Sequence, residues 1–82
     1  MYKIIFDLIA ERFLRKLDGT ERKRINKKFR ELEKNPRMGK PLTGNFAGLF
    51  SLRIGKYRAI YKVYDGELLV MVIDIGHRKN IY

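Results

Sequence analysis

The sequence contains no cysteine, no tryptophan and no glutamine, and only one histidine in 82 residues. Without cysteine there is no disulfide framework, no thiolate metal site and no cysteine nucleophile. The single histidine, His77, has no second histidine to share a metal with, and the carboxylates are scattered. Asp7, Glu11, Asp18, Glu21, Glu31 and Glu33 fall in the first half, Asp65 and Glu67 flank a turn, and Asp74 stands alone. No metal-ligand cluster and no catalytic carboxylate pair is expected, so any chemistry is expected to be metal-independent and cofactor-free. Long apolar runs are missing too. The longest, Leu68 to Ile73, is far short of a membrane span, and the opening MYKIIFD has no signal-peptide apolar core. Negative charge is the last scarcity: 9 acidic residues face 19 basic ones, for a net charge of +10. The expectation is a single domain over residues 1–82, soluble, cytoplasmic and strongly cationic.

Hydrophobic residues make up 45% of the chain, so it has the material for a core and is not a disordered basic tail. A field of +10 calls for a polyanion. Nucleic acid is the first candidate, because each neutralised phosphate releases a counterion. An acidic protein surface is the second, and solubility alone is the third. Abundant lysine and isoleucine, with no glutamine or cysteine, hint at a thermophilic prokaryote.

The hydrophobic periods predict the order βααβββ. Tyr2 to Phe6 is a short β-rich run, and Asp7 stands where a helix N-cap would. In residues 8–17 the expected buried stripe is Ile9, Phe13 and Leu17. Asp18-Gly19-Thr20 breaks the pattern, with Thr20 a capping residue for a second helix. In residues 21–34 only Ile25, Phe29 and Leu32 are apolar, at helical spacing, which leaves a wide charged face. Asn35-Pro36 ends it. The two helices should form an antiparallel hairpin. Residues 37–48 read as a loop, and then the period changes to two over 49–54, 57–63 and 68–75. The fold class is α+β: a mainly antiparallel four-stranded sheet with the helical hairpin on one face.

Gly55-Lys56 has the form of a type II′ hairpin turn. That register pairs Ile54 with Tyr57 and sets Arg53 directly across from Arg58. The second hairpin has two solutions. A two-residue Asp65-Gly66 loop puts Val72 and Asp74 on the apolar face. A three-residue Tyr64-Asp65-Gly66 loop puts Leu69, Met71, Ile73 and Ile75 there, and is preferred because the core face is then continuous. Like charges facing each other across a ladder are unfavourable, so the Arg53–Arg58 pair points to function: a phosphate clamp. The bland alternative is that both guanidiniums splay into water or are bridged by Asp74.

One reaction runs on a mostly cationic set of groups. In RNA transesterification the substrate supplies its own 2′-hydroxyl as nucleophile. The protein orients that hydroxyl, accepts its proton, stabilises the phosphorane and protonates the leaving 5′-oxygen. The candidates are Arg53, Arg58, Arg78, His77, Lys56 and Tyr82. Ser51 and Lys79 are added as RNA or phosphate contacts.

Three segments carry a resemblance. They are Gly39-Lys40-Pro41-Leu42-Thr43-Gly44, Leu52-Arg53-Ile54-Gly55-Lys56-Tyr57-Arg58-Ala59-Ile60-Tyr61, and Ile75-Gly76-His77-Arg78-Lys79-Asn80-Ile81-Tyr82. Together they resemble the RelE toxins of the RelE/ParE superfamily. The resemblance implies a type II toxin that enters the ribosomal A site and cleaves mRNA, leaving a 2′,3′-cyclic phosphate. It implies Arg58 at the scissile phosphate, Arg78 as a second arginine and Tyr82 stacking on a nucleotide. Ser51 and Arg53 occupy positions where the family often carries two basic residues, and His77 becomes the proton-transfer candidate. The partners implied are the ribosome, mRNA and a cognate RelB-type antitoxin, in assemblies that include a toxin–antitoxin heterotetramer, and no membrane. Two other functions remain open on the same fold: a non-enzymatic ParE-like gyrase inhibitor, and a plain RNA-binding module.

Overall fold

In the computed structural model, which describes residues 1–77 and 79, the chain runs through β1 (Lys3–Phe6), α1 (Leu8–Arg15), α2 (Gly19–Lys34), β2 (Lys40–Pro41), β3 (Phe50–Ile54), β4 (Tyr57–Tyr64) and β5 (Leu69–His77). The sheet order is β1-β5-β4-β3-β2, with β1 parallel to β5 and the other pairs antiparallel. The sheet has five strands where four were expected. The extra one, β2, pairs only Lys40 with Ser51 and Pro41 with Phe50. Two residues are too few to show an alternating pattern, and Pro41 is tolerated because the strand is at an edge.

Both helices cover one face of the sheet and share one core with it. Asp7 caps α1 by accepting from the Ile9 N–H at 3.2 Å. Asp18, not Thr20, caps α2. Its carboxylate accepts from Glu21 N–H at 2.9 Å, which starts the helix at Gly19 and leaves Thr20 inside the first turn. Ile25, Phe29 and Leu32 of α2 are buried as their spacing implies. On α1 the buried stripe is rotated one residue from expectation. Ala10 is fully buried, Phe13, Leu14 and Leu17 pack partly against the core, and Ile9 is 60% exposed. Among the described residues no helix is long and apolar enough to cross a membrane.

The Gly55-Lys56 turn forms as predicted. Gly55 takes φ +59°, which only glycine adopts freely, and Ile54 pairs with Tyr57. The second hairpin follows neither expected register. Its turn is longer: Asp65–Glu67 form a short 3-10 turn, Leu68 adopts a left-handed φ of 50°, and Tyr64 pairs with Leu69. Val70 and Val72, not Leu69 and Met71, therefore enter the core. A bulge then intervenes. Tyr61 pairs with Val72 but the adjacent Ile60 pairs with Asp74, so Ile73 is the extra residue. The bulge flips the alternation, returning Ile75 to the core and Asp74 to the opposite face. Neither expected register forms, and the core stays continuous because the bulge changes which face the strand presents.

Candidate active site

The face of the sheet turned away from the helices carries the cationic side chains. Arg53 and Arg58 are direct cross-strand partners, as the hairpin register predicted. Arg53 is exposed and Arg58 half-buried. Ser51 lies two residues from Arg53 on the same face and is only 7% exposed. The edge strand β2 places Lys40 opposite Ser51. Lys40, Leu42, Ser51, Arg53 and Arg58 line one cleft of about 260 Å³. Among the described residues three cations and no carboxylate line it, a wall suited to a phosphodiester. Asp74 lies on this face too. It stands opposite Ile60, across β4 from the cleft, and does not line it.

Arg53 also borders a second cleft of about 280 Å³, with Ile54 and Gly55 from the hairpin and Arg24, Lys27, Lys28 and Glu31 from α2. The β2 pairing stops at Ser51 and does not reach Arg53. Arg53 is the residue the two clefts share. Arg22, part of the same basic helix, is differently employed. It donates to the carbonyl of Leu17 at 2.9 Å and tethers the end of α1.

The position of β2, and so of Lys40, is set from the core. Tyr61 is fully buried on β4, its ring stacked on Phe50 with centroids 5.3 Å apart. Its hydroxyl donates to the Pro36 carbonyl at 2.8 Å and accepts from the Gly39 N–H at 3.0 Å. A side chain at position 39 would put Cβ 2.6 Å from that hydroxyl and 2.9 Å from the Ser51 carbonyl. Gly39 is thus required by close approach. Burial raises the Tyr61 hydroxyl pKa above its ordinary value, and the Gly39 hydrogen bond works the other way.

The remaining candidates are placed elsewhere. His77 pairs with Tyr57 on the helix-covered side. Its ring lies 5.1 Å from the Tyr57 ring and 6.3 Å from that of Phe13. The proton-transfer group expected from the sequence is therefore on the opposite face from Arg53 and Arg58. Lys56 also leans away, its ammonium 5.5 Å from the centre of the Tyr57 ring. Lys79 is exposed just after β5, and Arg78 and Tyr82 lie outside the described residues. Lys40 and Leu42 were missed because residues 37–48 carry no strand signal. Among the described residues no three His, Cys, Asp or Glu side chains gather at a metal-binding distance.

Comparison with known proteins agrees with the sheet and the helices. Residues 2–82 match the family described as ParE toxin of type II toxin-antitoxin system, parDE. Toxin RelG of Mycobacterium tuberculosis is 42% identical over 55 residues, 66% of this chain and 63% of RelG. The chain thus spans less than two thirds of that relative's length, and 57% of a second mycobacterial relative, Toxin RelE. The mRNA interferase toxin RelE of Escherichia coli is 32% identical over 96% of this chain and 85% of its own. Among solved structures, the toxin–antitoxin complex RelBE2 of Mycobacterium tuberculosis superposes with a TM-score of 0.84 at 35% identity, covering 94% of this chain and 98% of that one. With both sequence and fold shared over nearly the whole of its length, the chain belongs to the RelE/ParE superfamily of type II toxins, as a RelE toxin.

Proposed function

We propose that this protein is a ribosome-dependent endoribonuclease that cleaves mRNA by 2′-hydroxyl transesterification to a 2′,3′-cyclic phosphate, halting translation in the cytoplasm. The observation that carries the reading is the facing pair Arg53 and Arg58 in a cleft that, among the described residues, is lined by three cations and no acid. Such a wall binds the phosphodiester and stabilises the extra negative charge of the phosphorane. Arg58 engages the scissile phosphate. Arg53, exposed and shared by both clefts, holds the RNA backbone where it passes toward α2. Arg78 supplies a second charge on the phosphorane and Tyr82 stacks on a base. DNA lacks the nucleophile and is not cut. The name of the Escherichia coli relative, an mRNA interferase, supports the reaction class.

Arg24, Lys27 and Lys28 track ribosomal RNA, and the cleft acts on the message the ribosome presents. The cognate partner is a RelB-type antitoxin. Its acidic or amphipathic segment covers the cationic surface, and the resemblance to a solved toxin–antitoxin complex supports it.

The test is incubation with programmed ribosomes and with free RNA, mapping the product ends. Cleavage on ribosomes with 2′,3′-cyclic ends, lost in Arg58→Ala, is the expected result. Equal cutting by Arg58→Ala and the parent refutes the assignment. DNA damage without mRNA cuts would point instead to gyrase, and RNA retention without product to a binding module.

A further inference from the structure

We propose that Lys40 is the proton acceptor of this cleft, taking the proton of the attacking 2′-hydroxyl; the proposal rests on reading the cleft as a ribonuclease site. Accepting that proton needs a group that cycles between protonated and free forms. Arg53 and Arg58 do not release a proton under ordinary conditions. Ser51 is a buried neutral hydroxyl, and Leu42 is apolar. His77 lies on the other face against Tyr57 and Phe13. The Lys40 amine is the one cleft-lining group among the described residues with that capacity.

The second argument is placement. An exposed lysine on a loop samples many positions, and catalysis by such a group is entropically poor. Lys40 is exposed, but its backbone is held on both sides. Before it, Gly39 is clasped by the Tyr61 hydroxyl and packed so tightly that no Cβ fits. After it, Pro41 has a restricted φ, and the Leu42 N–H donates to Leu49 O at 2.9 Å. In between, Lys40 is in register with Ser51, so the two side chains share the face that lines the cleft. The charged groups facing it are Arg53 from β3 and Arg58 from β4, with Asp74 of β5 farther off on the same face.

In the step, the 2′-oxygen forms its bond to phosphorus as its proton passes to the neutral Lys40 amine. The P–O5′ bond breaks, and its electron pair leaves with the 5′-oxygen, which takes a proton from water. The Lys40 ammonium then returns its proton to water. No net proton is gained or lost.

The experiment is single-turnover cleavage on programmed ribosomes across pH, comparing the parent with Lys40→Ala, Lys40→Arg, Asp74→Asn and Arg58→Ala. Lys40→Ala is expected to lose about 100-fold or more in rate with an unchanged melting temperature, and Lys40→Arg to lose as much, because arginine keeps the charge but accepts no proton. The parent rate should rise with pH, the Lys40→Ala rate should not, and an added primary amine should partly rescue Lys40→Ala but not Arg58→Ala. Lys40→Arg within about threefold of the parent would show that charge alone matters and overturn the proposal. So would an unimpaired Lys40→Ala, or loss of the pH dependence in Asp74→Asn. If the parent cuts and Arg58→Ala does not, these outcomes remove only the role of Lys40. If the parent cuts nothing on ribosomes, the ribonuclease reading falls and the proposal with it.

Discussion

Replacing Tyr61 by phenylalanine removes one oxygen from the centre of the molecule and leaves the ring and its stack on Phe50. That oxygen joins two main-chain groups, the Pro36 carbonyl at 2.8 Å and the Gly39 N–H at 3.0 Å. Both groups lose their partner at a buried or half-buried position. At about 1 kcal/mol net for each hydrogen bond, the expected cost is about 2 kcal/mol. In a domain of this size that lowers the melting temperature by about 8–16 °C. The assay is calorimetry paired with urea unfolding, where the midpoint should fall at constant slope. A pH series adds a second readout. Burial raises the Tyr61 pKa above 10.0, so the folded state favours the neutral hydroxyl. The stability linked to it is complete below pH 10.0 and is lost as pH rises through the folded-state value. The phenylalanine variant lacks that loss, so the two proteins should converge in strong alkali. A Tyr61→Phe variant within about 0.5 kcal/mol of the parent at neutral pH would refute the account of how β2 is held.

The other expectations are smaller. Gly39→Ala should destabilise by about 1–3 kcal/mol, because its Cβ meets Tyr61 and the Ser51 carbonyl, and thermal melts will show it. Asp65 accepts from Tyr2 at 2.6 Å and from Arg37 at 3.0 and 2.5 Å, and these bonds, Arg37 first, hold its pKa at about 2 rather than 3.8. That stabilisation is present above pH 3.8 and lost as pH falls toward 2, so Asp65→Asn should melt with a flatter pH dependence in that window. Leu68→Gly should stabilise by about 0.5–1 kcal/mol in urea titrations, since Leu68 is exposed and held at φ 50°. Arg53→Ala should weaken binding to single-stranded RNA and reduce the slope of log affinity against log salt by about 0.7, the share of one phosphate contact.

The β-hairpin at Gly55-Lys56 was legible because a two-residue loop leaves one register, and that register alone sets Arg53 against Arg58. The buried stripe of α2 was legible for a similar reason: three apolar residues in a charged helix admit one orientation. On α1, several apolar residues allow more than one face, and the folded chain buries Ala10 and leaves Ile9 exposed. The second hairpin shows the same division. Residues 68–73 are uniformly apolar, so alternation cannot tell one face from the other. The longer turn at Leu68 and the bulge at Ile73 settle it through contacts with β4.

The candidate site divides along the same line. Composition and local pattern established a cationic domain, its helix and strand order and the facing arginines, because these follow from charge and from spacings of a few residues. They could not separate His77 from the arginines, since that depends on which face β5 presents after its bulge. Nor could they bring Lys40 to Ser51. That pairing joins residues eleven apart through an edge strand too short to leave a pattern, clasped by a tyrosine hydroxyl from two strands away. Long-range contacts of this kind exist only once the chain has folded, and they complete the cleft.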